Sequence, residues 1–422
     1  MTPAPAPTNH AVAADKAVIR MLFFPRESFP TDRVRINTLF GQELLGRGHA
    51  IDLVMQAADA TIPVGKLDWQ GRSVWVGSTD DRPGILHRVR KHVLGIAHDL
   101  AWIWRGRRTH YDCLLVSDKF LIAAIALAMA HMRGQKFMFW MTFPNHTARV
   151  SASRERLNRY PWLTLLRGHF DTFVLRHWIV PRSDHIFVQS QRMAEDFKAL
   201  GADERSLTPI VTGIDLDGVV PPDSPAAHPI SRPLTLVYIG TLVRQRRLEM
   251  LVDMLAELRR RGTIAKLLFV GDGEHPEDRD AILQRARSLD LADQVEITGL
   301  LPRREALRLA ASADIGVSPF HPSPILDVAS PTKLIEYLAL GLPAVANSHP
   351  DQSLVLRESR AGVCVPWGAR HFARAVQWLA LRSAEERAAM GLRGRRWVQA
   401  HRSYASIADD FEGACLRVLK SG

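Results

Sequence analysis

The stretch LTLVYIGTLVRQRRLEMLVDML, Leu234–Leu255, decides the class of fold. Its first six residues are an apolar run of strand length, Gly240 breaks it, and a short basic loop with Arg244, Arg246 and Arg247 follows. Leu248, Leu251, Val252 and Leu255 then recur at the i, i+3, i+4, i+7 spacing of a helix with one buried face. Strand, basic turn and amphipathic helix in that order open a βαβ unit. Further apolar runs continue the alternation: AKLLFV (Ala265–Val270), QVEIT (Gln294–Thr298), DIGVS (Asp314–Ser318) and PAVAN (Pro343–Asn347). Upstream, VIRMLFF (Val18–Phe24), AIDLVM (Ala50–Met55), DCLLV (Asp112–Val116), KFMFWMT (Lys136–Thr142), HIFVQ (His185–Gln189) and LTPIV (Leu207–Val211) do the same. Strands that are apolar throughout belong to a parallel sheet covered on both faces.

Between the two arrays, Gly213–Pro233 holds Pro221, Pro222, Pro225, Pro229 and Pro233 without periodicity, the mark of a linker. The expected division is a disordered tail over 1–16, a Rossmann-like domain over 17–212, the linker over 213–233, a second Rossmann-like domain over 234–385, and C-terminal helices over 386–422 that cross back to the first domain. The crevice between two such domains is the default ligand site. With 422 residues, 46% hydrophobic and 23% charged, the chain can build two cores and is not disordered. Its three cysteines, Cys113, Cys364 and Cys415, are too few and too scattered for a disulfide framework or a paired-cysteine metal site, so a reducing compartment is expected. The opening MTPAPAPTNHAVAADK has no apolar stretch, and the apolar run Phe120–Met132 is too short to span a bilayer, which needs about 20 residues. A cytoplasmic protein with a basic surface is expected, since 55 Lys and Arg against 44 Asp and Glu give +11.

Chemistry concentrates in FHPSPILDVASPTKLIEYLALGLPAVAN, Phe320–Asn347. Ser330 is placed to N-cap a helix, Pro331 to occupy its first position, and Gly341 to end it. The free N–H groups and positive dipole end of such a helix form an anion site, to which Lys333 adds a full charge. Glu336, one turn on, could accept hydrogen bonds from sugar hydroxyls. The plainer reading is a capped helix in which Lys333 pairs with Glu336.

Taken in order, YIGTLVRQRRLEMLVDML, VGDGEHP (Val270–Pro276), SDHIFVQSQRMAEDF and SPTKLIEYLALGLPAVANSHPDQ resemble the retaining glycosyltransferases of family 4 (glycosyl transferases group 1), in particular their bacterial exopolysaccharide branch. The resemblance runs from Val18 to Ala380 and is strongest over Leu234–Pro366. It implies an α/β chain of the GT-B type, two Rossmann-like domains facing each other across a cleft, that moves a sugar from a nucleoside-diphosphate donor to a glycan or lipid-linked acceptor in cell-surface glycan synthesis. It implies that Arg246 and Lys333 act on the departing diphosphate, with Arg244 compensating for Thr241 where the family has arginine. Ser330 and Thr332 would meet the phosphates, Glu336 the ribose and Asp327 the donor sugar, although Asp327 lies one residue off the family's spacing. His146 stands near the family's acceptor-side residue. The first-half glycine loop is missing: Pro25–Arg35 contains no glycine. No metal or other cofactor is expected, and Asp215 and Asp217 only imitate a metal-binding DxD. Two rivals remain open, a sugar-nucleotide epimerase using the same cleft and a non-catalytic membrane-associated subunit of an assembly complex.

Two stretches mix cations with tryptophan, Arg82–Arg108 with Trp102 and Trp104, and Arg154–Arg182 with Trp162 and Trp178. Such a mixture suits an anionic membrane surface at the inner face of the plasma membrane. The alternative is helices covering the first sheet with a solvated basic face. No recognition motif supports nucleic acid.

Overall fold

In the computed structural model, which describes residues 17–154, 160–216, 219 and 233–421, the apolar runs become strands of two sheets. The expected tail, most of the linker and Asp217 lie outside the described residues. The first sheet contains β1 (Arg20–Phe24), β2 (Ala50–Gln56), β3 (Gly65–Trp69), β4 (Arg72–Gly77), β5 (Cys113–Ser117), β6 (Lys136–Met141), β7 (His185–Val188) and β8 (Leu207–Pro209). Their order is β3-β4-β2-β1-β5-β6-β7-β8. The second contains β9 (Leu234–Ile239), β10 (Ala265–Val270), β11 (Val295–Ile297), β12 (Ile315–Ser318), β13 (Ala344–Asn347) and β14 (Gly362–Val365), in the order β11-β10-β9-β12-β13-β14. That order is the doubly wound Rossmann arrangement, and every pair in this sheet is parallel. Strand order reverses between β9 and β12 in the second sheet and between β1 and β5 in the first. Ligands of such sheets bind beyond the strands' carboxyl ends at these reversals.

The first sheet is not wholly parallel as the apolar runs imply. β3 pairs antiparallel with β4 through a turn at Gln70 and Gly71, whose φ values of 57° and 77° are both in the left-handed region. Such a turn matches the right-handed twist of a hairpin. β3 covers an edge, and its residues are half-buried or exposed.

The C-terminal helices divide between the halves. Ala384–His401 stays on the second half, where Gly391 lets it approach Gly341 so closely that a Cβ would lie 1.8 Å from the Gly341 carbonyl oxygen. Tyr404–Lys420 packs on the first half, burying Ile407, Phe411 and Cys415 with Phe40, Trp140 and Phe187. Phe411 stacks on Phe187 with ring centroids 4.5 Å apart, and Arg47 holds Glu412 at 2.6 Å.

A buried polar knot joins the halves where this crossing occurs. Arg402 pairs with Asp351 at 2.6 Å and donates to the Ser330 hydroxyl at 3.1 Å. Ser330 in turn donates to Asp351 at 3.1 Å and accepts from the Thr212 amide at 3.2 Å. Nearby, Ser190 donates to the Val328 carbonyl at 2.7 Å.

Candidate functional site

Both strand-order reversals open on one cleft of about 910 Å³ between the halves. From the first half it is lined by the segment after β1, including Arg26 and Arg35, and by Asp118 after β5; from the second, by Arg246, Lys333 and Glu336.

Backbone shape sets the second-half wall. Gly240, directly after β9, has φ of 130°, a value open to glycine and strained for other residues. A Cβ there would sit 2.8 Å from Lys333 Cε and 3.2 Å from Arg246 Nη1, so the missing side chain is what lets both cations converge. Gly271 holds this turn from behind, where a Cβ would lie 2.3 Å from the Gly240 carbonyl oxygen. Arg246 is fixed by two donations from Nη1, to the Tyr238 hydroxyl and to the Thr241 carbonyl, each at 2.9 Å.

Lys333 lies on the helix Thr332–Ala339. Tyr337 anchors that helix, its hydroxyl accepting from the Ile239 amide at 2.9 Å and donating to the Val317 carbonyl at 3.2 Å. Gly316 leaves room for the Tyr337 ring, which a Cβ would meet at 2.4 Å. The first-turn N–H groups have no partners within the helix, and no side chain caps them. Among the described residues Lys333 has no carboxylate at ion-pair distance, and its ammonium lies 5.4 Å from the Tyr238 ring centre. Burial, reinforced by the Arg246 guanidinium, pushes the ammonium down to about 7, with Glu336 opposing. Two converging cations with no carboxylate at ion-pair distance among the described residues are arranged to receive an anion from the cleft.

Several expectations need correcting. Ser330 does not cap the helix, which begins two residues later with Pro331 at the cap position, because the hydroxyl is consumed by Arg402, Asp351 and Thr212. Lys333 and Glu336 do not pair; Glu336 accepts instead from Arg303 at 2.8 Å. Ser330, Thr332, Lys333, Glu336 and Arg246 all line the cleft. Arg244 is exposed and Asp327 belongs to a turn over 323–329, and neither lines it. His146 also stands apart from the lining: it packs edge-on against Phe120 at 5.7 Å, its Nδ1 is buried without a partner, and burial pushes its pKa down to about 4. It is a neutral, shielded imidazole. Among the described residues no three His, Cys, Asp or Glu side chains cluster as a metal site would require.

Sequence reasoning missed Arg303 and Asp118. Asp118 has φ of 56° and accepts from the Thr142 amide at 3.0 Å and from its hydroxyl, while burial raises its pKa. A non-glycine residue held in left-handed backbone beside a cleft often marks a working position. On the same wall Arg26 donates to Asn145, and Arg35 pairs with Glu27 at 2.7 Å.

Known proteins match both the half that holds the paired cations and the whole architecture. Residues 233–381 match the family model of the glycosyl transferases group 1. Glycogen synthase of Mycobacterium tuberculosis strain H37Rv is 28% identical over 202 residues, 47% of this chain and 46% of that one, so the match spans about half the length of this curated relative. Among solved structures, the sucrose-phosphate synthase of Thermosynechococcus elongatus superposes with a TM-score of 0.70 at 17% identity, covering 96% of this chain and 100% of that one. Anabaena HepE in complex with UDP superposes with a TM-score of 0.66 at 13% identity, covering 94% and 100%. Residues 233–381 thus match a glycosyl transferases group 1 domain, on a chain whose two halves together adopt the GT-B fold.

Proposed function

We propose that this protein is a retaining glycosyltransferase that moves a sugar from a nucleoside-diphosphate donor to an acceptor hydroxyl in bacterial cell-surface glycan synthesis. The observation that carries this reading is the convergence of Arg246 and Lys333 around Gly240 at the strand-order reversal, with the open helix N-terminus beside them and Glu336 one turn on. As the bond between the sugar's C1 and the diphosphate oxygen breaks, the electron pair leaves with the diphosphate. Arg246, Lys333 and the helix amides stabilise that growing charge. The acceptor oxygen attacks the same face of the oxocarbenium-like carbon, and its proton passes to the leaving phosphate oxygen. Glu336, steadied by Arg303, orients the nucleoside's ribose. Donor binding requires no metal, since the diphosphate charge is met by side chains and backbone.

A thermal-shift panel with UDP, GDP, ADP and dTDP, run on the wild type, Glu336→Ala and Arg246→Ala, tests the donor site. UDP is the first probe, since it occupies HepE. One nucleotide should raise the midpoint and both variants should lose the effect; silence from all four nucleotides would remove the proposal. Anomeric configuration of the product, followed by NMR from the first turnover, tests retention. Conversion of donor without any acceptor would favour the epimerase.

A further inference from the structure

Two helices of the first half present their apolar sides outward. In Ile85–Arg105 the buried residues are Asp99 and Ile103, and Asp99 accepts from Lys119 at 3.0 Å. Leu86, Val89, Val93, Ile96 and Trp104 form a stripe facing solvent, with Leu86 82% and Trp104 64% exposed. In Pro161–Val174 the buried residues are Gly168, Asp171 and Val174, with Asp171 paired to Arg149. Here Trp162, Leu166, Phe170 and Phe173 point outward at helical spacing, Trp162 65% and Phe173 63% exposed. A helix whose outer face meets only water carries the opposite arrangement.

The stripes are neighbours. Both helices pack on Phe120–Met132, and Arg167 of the second helix is near enough to His92 of the first to add to the burial that lowers its pKa. Arg88, Arg90 and Lys91 border the patch on one helix, Arg167 on the other with Arg176 just beyond its end, and Arg182 stacks over Trp178 at 4.6 Å. An exposed apolar patch of this extent with a cationic border marks an interaction surface.

We propose that this face docks the protein on a membrane surface bearing anionic lipid headgroups. Tryptophan and phenylalanine would enter the headgroup boundary while the arginines and lysine meet lipid phosphates. A second copy is a poorer occupant, because joining two such faces would bring their cationic borders together. No helix among the described residues is long and apolar enough to cross a membrane, so the contact is peripheral. The second helix packs by its buried side near the cleft wall: a Cβ at Gly168 would lie 3.2 Å from the His146 carbonyl oxygen, and neighbouring Asn145 accepts from Arg26 in that wall. The docking itself rests on the surface alone, whichever reaction the cleft performs.

Flotation of the full chain with phosphatidylcholine vesicles, with and without phosphatidylglycerol, at low and high salt, is the test, with tryptophan emission recorded alongside. Flotation with the anionic vesicles only, release by salt and a blue-shifted emission are expected. The double variant Leu86→Glu/Phe173→Glu should bind about tenfold more weakly, and Arg88→Gln/Arg90→Gln should bind more weakly with a shallower salt dependence, both keeping the wild-type nucleotide response. Recovery without vesicles, equal binding to both lipid compositions, or double variants that float like wild type would overturn the proposal. So would a concentration-dependent dimer, abolished by Leu86→Glu/Phe173→Glu, in a protein that ignores vesicles.

Discussion

Replacing Lys333 by methionine should make the protein more stable and unable to hold a diphosphate. An unfolded lysine titrates near 10.5, but burial and Arg246 hold this one at about 7 in the fold. Between those values the unfolded chain binds more protons than the native one, so stability rises with pH there. The penalty on the fold is complete below pH 7 and disappears as pH approaches 10.5. By the pKa difference alone it is worth about 5 kcal/mol, at about 1.36 kcal/mol per pH unit. The residue borders the solvent-open cleft, and that screening roughly halves the cost, leaving ~2 kcal/mol. Methionine keeps the apolar stem and removes the charge. Thermal unfolding of wild type and Lys333→Met, at pH 6 and pH 9 and with or without UDP, reads both effects. The variant should melt several degrees higher at pH 6, at about 2–4 °C per kcal/mol, and keep less than half of that gain at pH 9. The UDP-induced stabilisation of wild type, about 2.7 kcal/mol at a hundred times the dissociation constant, should be absent from the variant. A variant less stable than wild type at pH 6, a gain equal at both pH values, or a retained UDP response would each refute the reasoning.

Arg402→Met leaves the Asp351 carboxylate buried without its cation and should cost about 3–5 kcal/mol in urea unfolding. Ser330→Ala, which keeps that pair but orphans the Thr212 amide and removes the hydroxyl's bonds with Arg402 and Asp351, should cost about 1–3 kcal/mol. Gly316→Ala drives a methyl into the Tyr337 ring and should weaken nucleotide binding, measured by calorimetry, along with about 1–3 kcal/mol of stability. His146 is held at about 4, below the value of about 6.5 for a free histidine, so its buried ring resists protonation and the fold loses stability as pH falls between the two. His146→Gln should flatten that acid-side loss in pH-dependent melts and leave the pH profile of turnover unchanged from 6 to 8; a lost alkaline or acidic limb in that window would return the residue to the reaction.

What could be read from sequence follows from how locally each feature is determined. β9 and β10 were legible to the residue, because a largely buried parallel strand reads as a local apolar run, here closed by Gly240 and Gly271, and depends on no distant partner. The β3–β4 hairpin was not, since Gln70-Gly71 is an unusual turn pair and the outer strand buries too little to show a pattern. The same limit governs the site. Arg246 follows from a strand and the turn after it, Lys333 and Glu336 from a loop and the helix it opens, each a stretch contiguous in the chain, and the fold brings the two stretches together. Arg303 and Asp118 reach the cleft from elements whose own sequence gives no reason for their presence. Ser330 is the instructive failure. Its local context favours a cap, yet a hydroxyl has one proton and two lone pairs, and here Asp351, Arg402 and Thr212 take all three. Those partners lie 21, 72 and 118 residues away. The helix start is thereby freed of a side-chain cap and left open to the cleft. The residue that seemed to close the anion site instead ties the phosphate-facing segment to the crossing between the two halves, so motion of one half against the other must act on the helix that carries Lys333.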